Sequence, residues 1–204
     1  MIRIAIADDQ AMIRQALASL LSLEEDFEVV IQAANGQELL DLVDEDVDVV
    51  LLDVEMPGTD GLTASAALNR RFPRVKTLIV TAFGRPGYVR RAMESGATGF
   101  IVKDAPFPEL LDAIRKVARG EHVVDPRLAA ETLSHGDSPL TPRETDALQA
   151  LRGGNTTRHV AKSLGLSQGT VRNYLSSAMD KTGAGTATEA LLIAEKNGWL
   201  DPPR

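Results

Sequence analysis

Cysteine is absent from the chain, so neither a disulfide framework nor a thiolate metal site holds it together, and nothing points to an oxidising compartment. Histidine is scarce, with His122, His135 and His159 scattered along the sequence. Aromatic residues supply only 4% of the composition. A core must therefore be made mainly from Leu, Ile, Val and Ala, and the apolar content of 44% is ordinary for a globular protein. No apolar run approaches the roughly 18 residues that a membrane helix needs. Met1-Ile2-Arg3-Ile4 leads straight into a strand pattern rather than a signal peptide. The expectation is a cytoplasmic protein.

At 204 residues the chain is long enough for one large domain or two small ones. Charge favours two. Residues 139–204 carry eight basic and six acidic side chains, a balance of +2, which leaves −9 for the first part of a chain whose net charge is −7. Such an asymmetry suggests two jobs. A balance of +2 is by itself weak support for nucleic-acid binding.

In the first part, apolar runs at Ile2–Ala7, Phe27–Ile31, Val47–Leu52, Thr77–Val80 and Gly99–Val102 are separated by helical patterns. Five strands separated by single helices predict a doubly wound, flavodoxin-like α/β domain with a parallel sheet over residues 1–120. The alternation stops after Gly120. Ser134-His-Gly-Asp-Ser-Pro139 is a polar cluster of the kind that separates folded units, so 121–139 is read as a linker with a short helix at Pro126–Leu133.

From residue 140 the pattern is only helical. Thr141-Pro142-Arg143-Glu144 has the form of a capping box with proline at the first helical position. Gly153-Gly154 ends that helix, and a second runs from about Thr156 to Leu164. Gly165 turns the chain, Ser167 caps a third helix reaching Thr182, and Ala187–Asn197 forms a fourth that Gly198 ends. Four short helices make a small all-α domain over 140–204.

In an open parallel sheet, ligands bind outside the carboxyl ends of the strands. Here those ends carry Asp8 and Asp9, Asp53, Thr81 and Lys103. Three converging carboxylates repel one another unless a cation sits among them. Mg²⁺ suits such a set, since it takes oxygen ligands and bridges carboxylate to phosphate. A carboxylate beside it can attack a phosphoryl donor to give an aspartyl phosphate. Singly, an Asp at a strand end is usually a helix cap, Lys103 a solvated lysine and Thr81 a turn residue. The conjunction carries the specificity.

Ala7-Asp8-Asp9, Leu52-Asp53-Val54-Glu55-Met56-Pro57-Gly58, Val80-Thr81-Ala82 and Gly99-Phe100-Ile101-Val102-Lys103-Asp104 resemble the signatures of response-regulator receiver domains, over all of residues 1–120. The resemblance implies that Asp53 is the phosphoacceptor. It also implies that Asp8, Asp9, Asp53 and the Glu55 backbone carbonyl hold Mg²⁺, that Thr81 and Lys103 contact the phosphoryl group, and that Phe100 is the switch aromatic. Pro57-Gly58 shapes the turn after the acceptor.

Residues 141–199 resemble the LuxR/NarL class of helix-turn-helix domains through Leu140-Thr-Pro-Arg-Glu144, Val160-Ala161, Leu164-Gly165-Leu166-Ser167 and Gly169-Thr170-Val171-Arg172-Asn173-Tyr174-Leu175. Thr156-Thr157-Arg158-His159 departs from the more usual Asn-Lys-Glu-Ile type of segment. In the third helix Val171, Leu175, Ala178 and Met179 repeat at inward-facing spacing, which turns Arg172, Asn173 and Ser176 outward. Helix-turn-helix proteins set this face in the major groove, where Arg bonds guanine and Asn bonds adenine. Thr170, Lys181 and the helix N-terminus suit phosphates. Away from a motif, Arg172 and Lys181 would be read as solvated helix charges.

The resemblance implies a transcriptional regulator rather than an enzyme, save for its own phosphorylation and dephosphorylation. Its partners would be a sensor histidine kinase, double-stranded DNA, a second copy of the chain on phosphorylation, and RNA polymerase. Ala82–Tyr88, Gly169–Leu175 and Gly198-Trp199-Leu200 together are similar to regulators of desaturase-type membrane-lipid pathways, whose kinases are membrane-bound. Two helices carry apolar residues beyond one buried stripe: Ala11 to Leu21, including Met12, Leu17 and Leu20, and Phe107 to Ala118, including Leu111 and Ile114. They are either a dimer surface or well-buried core helices. Two rival readings remain at this point. A phosphohydrolase would share Asp and Mg²⁺ but lacks Asp-x-Asp around Asp8, and a constitutive DNA binder would leave the acidic strand ends without a purpose.

Overall fold

Strands joined by single helices return to the same end of a sheet, and so pair in parallel. The computed structural model describes residues 1–82, 86–125, 128–129 and 138–200, and its first part realises this pattern. In chain order the elements are β1 (Ile2–Ala7), α1 (Ala11–Leu21), β2 (Phe27–Ala33), α2 (Gly36–Leu42), β3 (Val49–Leu52), α3 (Gly61–Arg71), β4 (Lys76–Thr81), α4 (Pro86–Glu94), β5 (Gly99–Val102), α5 (Phe107–Ala118) and β6 (Val123–Val124). The strands stand in the order β2-β1-β3-β4-β5-β6, all parallel.

Alternating side chains of each strand feed two cores. Ala5, Ala7, Val50, Leu52, Ile79 and Phe100 face the cluster that α2, α3 and α4 cover. Ile4, Ile6, Val49, Leu51, Leu78, Val80 and Ile101 face the one that α1 and α5 cover. Burial on both faces explains why these strands read as continuous apolar runs. It also leaves only the strand ends for polar chemistry.

The sheet departs from expectation at its edges. β2 runs on to Ala33, whose carbonyl accepts from the Asp8 amide at 3.1 Å. A sixth strand lies within the segment read as linker. Gly120, at a φ of 79°, turns the chain after α5, and Val123 and Val124 then pair with Gly99 and Phe100. β-Branched residues favour such pairing, but a two-residue strand leaves almost no periodic signal. Leu128 and Ala129 are helical. The rest of the expected helix at Pro126–Leu133, and the polar cluster from Ser134 to Asp137, lie outside the described residues.

The chain divides into two compact units near residue 130. The second contains α6 (Pro142–Ala150), a 3₁₀ turn (Arg152–Gly154), α7 (Thr157–Leu164), α8 (Gln168–Thr182) and α9 (Ala187–Lys196). As expected, Thr141 and Glu144 form a reciprocal capping box, Ser167 accepts from an amide in the first turn of α8, and Gly165 takes a φ of 66° before it. Thr156, expected as the first residue of the second helix, instead caps α7. Leu148, Val160, Val171, Leu175, Ala178, Ala190 and Ala194 make its core. Among the described residues, no helix is long and apolar enough to cross a membrane.

Candidate functional site

β1 and β3 are neighbours in the sheet, and the Asp53 amide donates to the Ala7 carbonyl at 2.9 Å. That bond sets the end of β3 beside the end of β1. Asp8, Asp9 and Asp53 consequently place carboxylate oxygens within 4.8 Å of one another. Asp8 and Asp53 are buried, whereas Asp9 is exposed. Asp8 is further fixed by the Gln10 amide, which donates to its Oδ1 at 2.9 Å, and its carbonyl accepts from the Arg14 guanidinium.

Lys103 arrives from the end of β5, with its amide donating to the Thr81 carbonyl at 2.7 Å. Its Nζ lies 2.7 Å from Asp8 Oδ2 and 2.8 Å from Asp53 Oδ2, bridging the two buried carboxylates. Burial pushes the Asp53 carboxyl up from its ordinary range against the pull of Lys103. For Lys103, burial acts downward but is outweighed by its bonds to Asp53 and Asp8, which hold the ammonium above its ordinary value. The two directions oppose each other for one pair. With two acceptors at bonding distance, a charged lysine between two carboxylates is the state this geometry favours.

Asp9, Gln10, Asp53, Glu55, Thr81 and Ala82 line one small pocket. Thr81, buried at the end of β4, thus shares this pocket with Asp9. Phe100 does not line this pocket and is fully enclosed in the core. All-oxygen donors, three of them carboxylates and one exposed, match what a hard divalent cation takes, so the residues fit Mg²⁺.

Gly61 is a site residue that the sequence reading missed. A Cβ on it would fall 1.9 Å from the Asp53 carbonyl oxygen, and its amide donates to Val54 O at 3.0 Å. Only glycine lets the start of α3 approach the Asp53 backbone this closely. The signal available was Asp60-Gly61, an N-cap followed by a glycine inside the helix that serves no turn.

In the second unit, Arg172, Asn173 and Ser176 lie exposed along one side of α8, opposite buried Val171, Leu175 and Ala178. Met179 is half-buried against the same core. Thr170 is half-buried, and its hydroxyl meets the capping Ser167 at 2.8 Å.

Lys181, expected to reach phosphate, pairs in this structure with Glu144, its Nζ 2.8 Å from Oε2. Ser177 donates to the other oxygen of Glu144 at 2.7 Å, and the Thr141 amide also donates to Oε2. Glu144 is buried. Burial raises its carboxyl, but the bonds from Lys181, Ser177 and Thr141 prevail and take it down to about 2. This hub joins α6 to α8 and was legible only as a capping box.

Residues 4–115 match the family described as response regulator receiver domain, and residues 138–194 match bacterial regulatory proteins of the luxR family. The chain is similar to the uncharacterized transcriptional regulatory protein YvfU of Bacillus subtilis (strain 168), at 44% identity over 98% of this chain and 100% of the relative. It is 40% identical to the transcriptional regulatory protein DesR of the same strain, again over 98% and 100%. Among solved structures, the response regulator ChrA of a heme-sensing two-component system matches at 32% identity and a TM-score of 0.58, covering 96% of each chain.

Proposed function

Because the chain belongs to the response regulators that join a receiver domain to a luxR-family DNA-binding domain, we propose that it is phosphorylated on Asp53 by a sensor histidine kinase and that this controls its sequence-specific binding to DNA. It is a transcriptional regulator, not a metabolic enzyme. The observation that carries the reading is the placement of Asp53 between Lys103, Asp8 and the exposed Asp9 at one end of the sheet.

Asp53 supplies the attacking carboxylate oxygen. Asp8, Asp9, Asp53 and the Glu55 carbonyl would hold Mg²⁺, which when bound neutralises charge on the phosphoryl oxygens. Lys103 is already at Asp53 and needs only to exchange a carboxylate oxygen for a phosphoryl one. The Thr81 hydroxyl lines the same pocket and offers a second donor. On α8, Arg172, Asn173 and Ser176 would read base edges, with Thr170 and the helix N-terminus toward phosphates. Pairing two such chains would place two recognition helices on successive turns of DNA. The 40% identity to the transcriptional regulatory protein DesR supports such control of transcription without fixing an operator.

Intact-mass measurement with phosphoramidate and Mg²⁺ tests the site. The wild-type chain is expected to gain one phosphoryl group and Asp53→Ala none. A variant that still gains it would move the acceptor elsewhere.

A further inference from the structure

The aromatic hydroxyl nearest the acidic pocket comes from α4, not from β5. Phe100 on β5 has none, and its ring is fully enclosed. Tyr88 is buried in the same core cluster, and its Oη donates to Glu55 Oε1 at 3.3 Å. Glu55 lines the pocket together with Asp9, Asp53 and Thr81. A side chain of α4 therefore grips a carboxylate that borders the acceptor.

We infer that Tyr88 is a positioning residue for phosphoryl transfer at Asp53, acting by holding the Glu55 carboxylate against α4 and away from the attacking oxygen. The inference rests on Asp53 being the acceptor. Glu55 is a flexible acid two residues beyond Asp53, and the pocket already holds the carboxylates of Asp9 and Asp53. Left unrestrained, a further negative charge is free to lean toward an entering anionic donor and repel it. The Tyr88 hydroxyl opposes this at the cost of tying α4 to the pocket, so a displacement of Glu55 is passed to α4.

With phosphoramidate as donor, a bond forms between an Asp53 oxygen and phosphorus as the phosphorus–nitrogen bond breaks. The donor's nitrogen, already protonated, leaves as ammonia. Tyr88→Phe removes the hydroxyl and keeps the buried ring, while Glu55→Ala removes the carboxylate and keeps the backbone carbonyl. The rate of mass gain is measured for the full chain, both variants and the double variant, with Mg²⁺.

Tyr88→Phe is expected to slow phosphorylation roughly two- to tenfold, the range for one lost hydrogen bond. Whatever rate Glu55→Ala itself sets, Tyr88→Phe is expected to have no further effect in that background. A Tyr88→Phe effect that persists with Glu55→Ala, or no effect in the wild-type background, overturns the inference while leaving Asp53 as acceptor. A wild-type chain that takes up no phosphoryl group overturns both. A second readout needs neither metal nor donor. Amide hydrogen exchange in α4 should quicken by a similar factor in each single variant and no further in the double. If Glu55→Ala leaves α4 exchange unchanged, Glu55 does not hold that helix.

Discussion

Lys181 and Glu144 are 37 residues apart in sequence, yet Nζ and Oε2 meet at 2.8 Å, joining the last turn of α8 to the first turn of α6. The α8 face carrying Arg172 is thus oriented by an ion pair at the helix's far end. Because the Glu144 carboxyl is held at about 2 in the folded chain against an ordinary 4.5, the unfolded chain takes up the proton first as pH falls. The contribution is complete above about 4.5 and is lost on acidification toward about 2. At about 1.4 kcal/mol per unit, it reaches on the order of 3 kcal/mol at neutral pH. The fluorescence of Trp199, the only tryptophan, reports unfolding of this unit. Glu144→Gln should lower its stability at pH 7 and flatten its dependence on pH through that window. An unchanged acid profile would mean the pair contributes nothing.

The same pair separates two basic residues of α8 that look alike in sequence. Arg172→Ala should cost about 1–3 kcal/mol on a cognate duplex and relax preference at one base pair. Lys181→Ala should lower thermal stability while leaving the salt dependence of DNA binding nearly unchanged, since its charge is already spent on Glu144. Competition binding at two salt concentrations distinguishes them. A salt slope reduced by about one for Lys181→Ala would return it to the phosphate contacts.

Asp9 is the exposed member of the acidic trio, and Lys103 bridges only Asp8 and Asp53. Asp9→Ala should therefore abolish measurable Mg²⁺ binding in calorimetric titration and leave the fold intact, because relief of repulsion offsets the lost contacts. Mg²⁺ affinity equal to wild type would place the ion elsewhere.

Self-association on phosphorylation should draw on α1 rather than on the interior of α5. Met12 and Leu20 are 82% and 42% exposed, whereas Ile114 is fully buried. Leu111 is also core, and Leu17 is half-buried against it. Of the two expectations for these helices, the core reading holds for the inner residues of α5, whereas α1 presents Met12 and Leu20 to solvent. Phosphorylation shifts the balance only if the pair binds the phosphoryl state better. Leu20→Glu should weaken the phosphorylated dimer on the order of tenfold, ~1–2 kcal/mol, in sedimentation, without unfolding the monomer. A dimer of undiminished strength would move the interface off α1.

Strand ends and caps were legible because each depends on a residue and its immediate neighbours. Asp8, Asp9, Asp53, Thr81 and Lys103 follow apolar runs directly, and Thr141, Ser167 and Gly165 announce their helix ends. What stayed hidden depends on distant partners. β6 pairs with Gly99 and Phe100 and is too short for periodicity, Gly61 matters because the Asp53 carbonyl approaches it, and Lys181 reads as a free cation until Glu144 is seen beside it. Tyr88 and Glu55, 33 residues apart, belong to the same class.

The most direct test of phosphorylation control is DNA affinity, measured on a duplex selected from random sequence by the phosphorylated protein. Wild type and Asp53→Ala are compared with and without phosphoramidate and Mg²⁺, the phosphoryl group being followed by mass. The wild-type chain should bind at least about tenfold more tightly once phosphorylated, through pairing of its DNA-binding units, and Asp53→Ala should not respond. A wild-type chain that carries the phosphoryl group on Asp53 and binds DNA no differently would contradict the account.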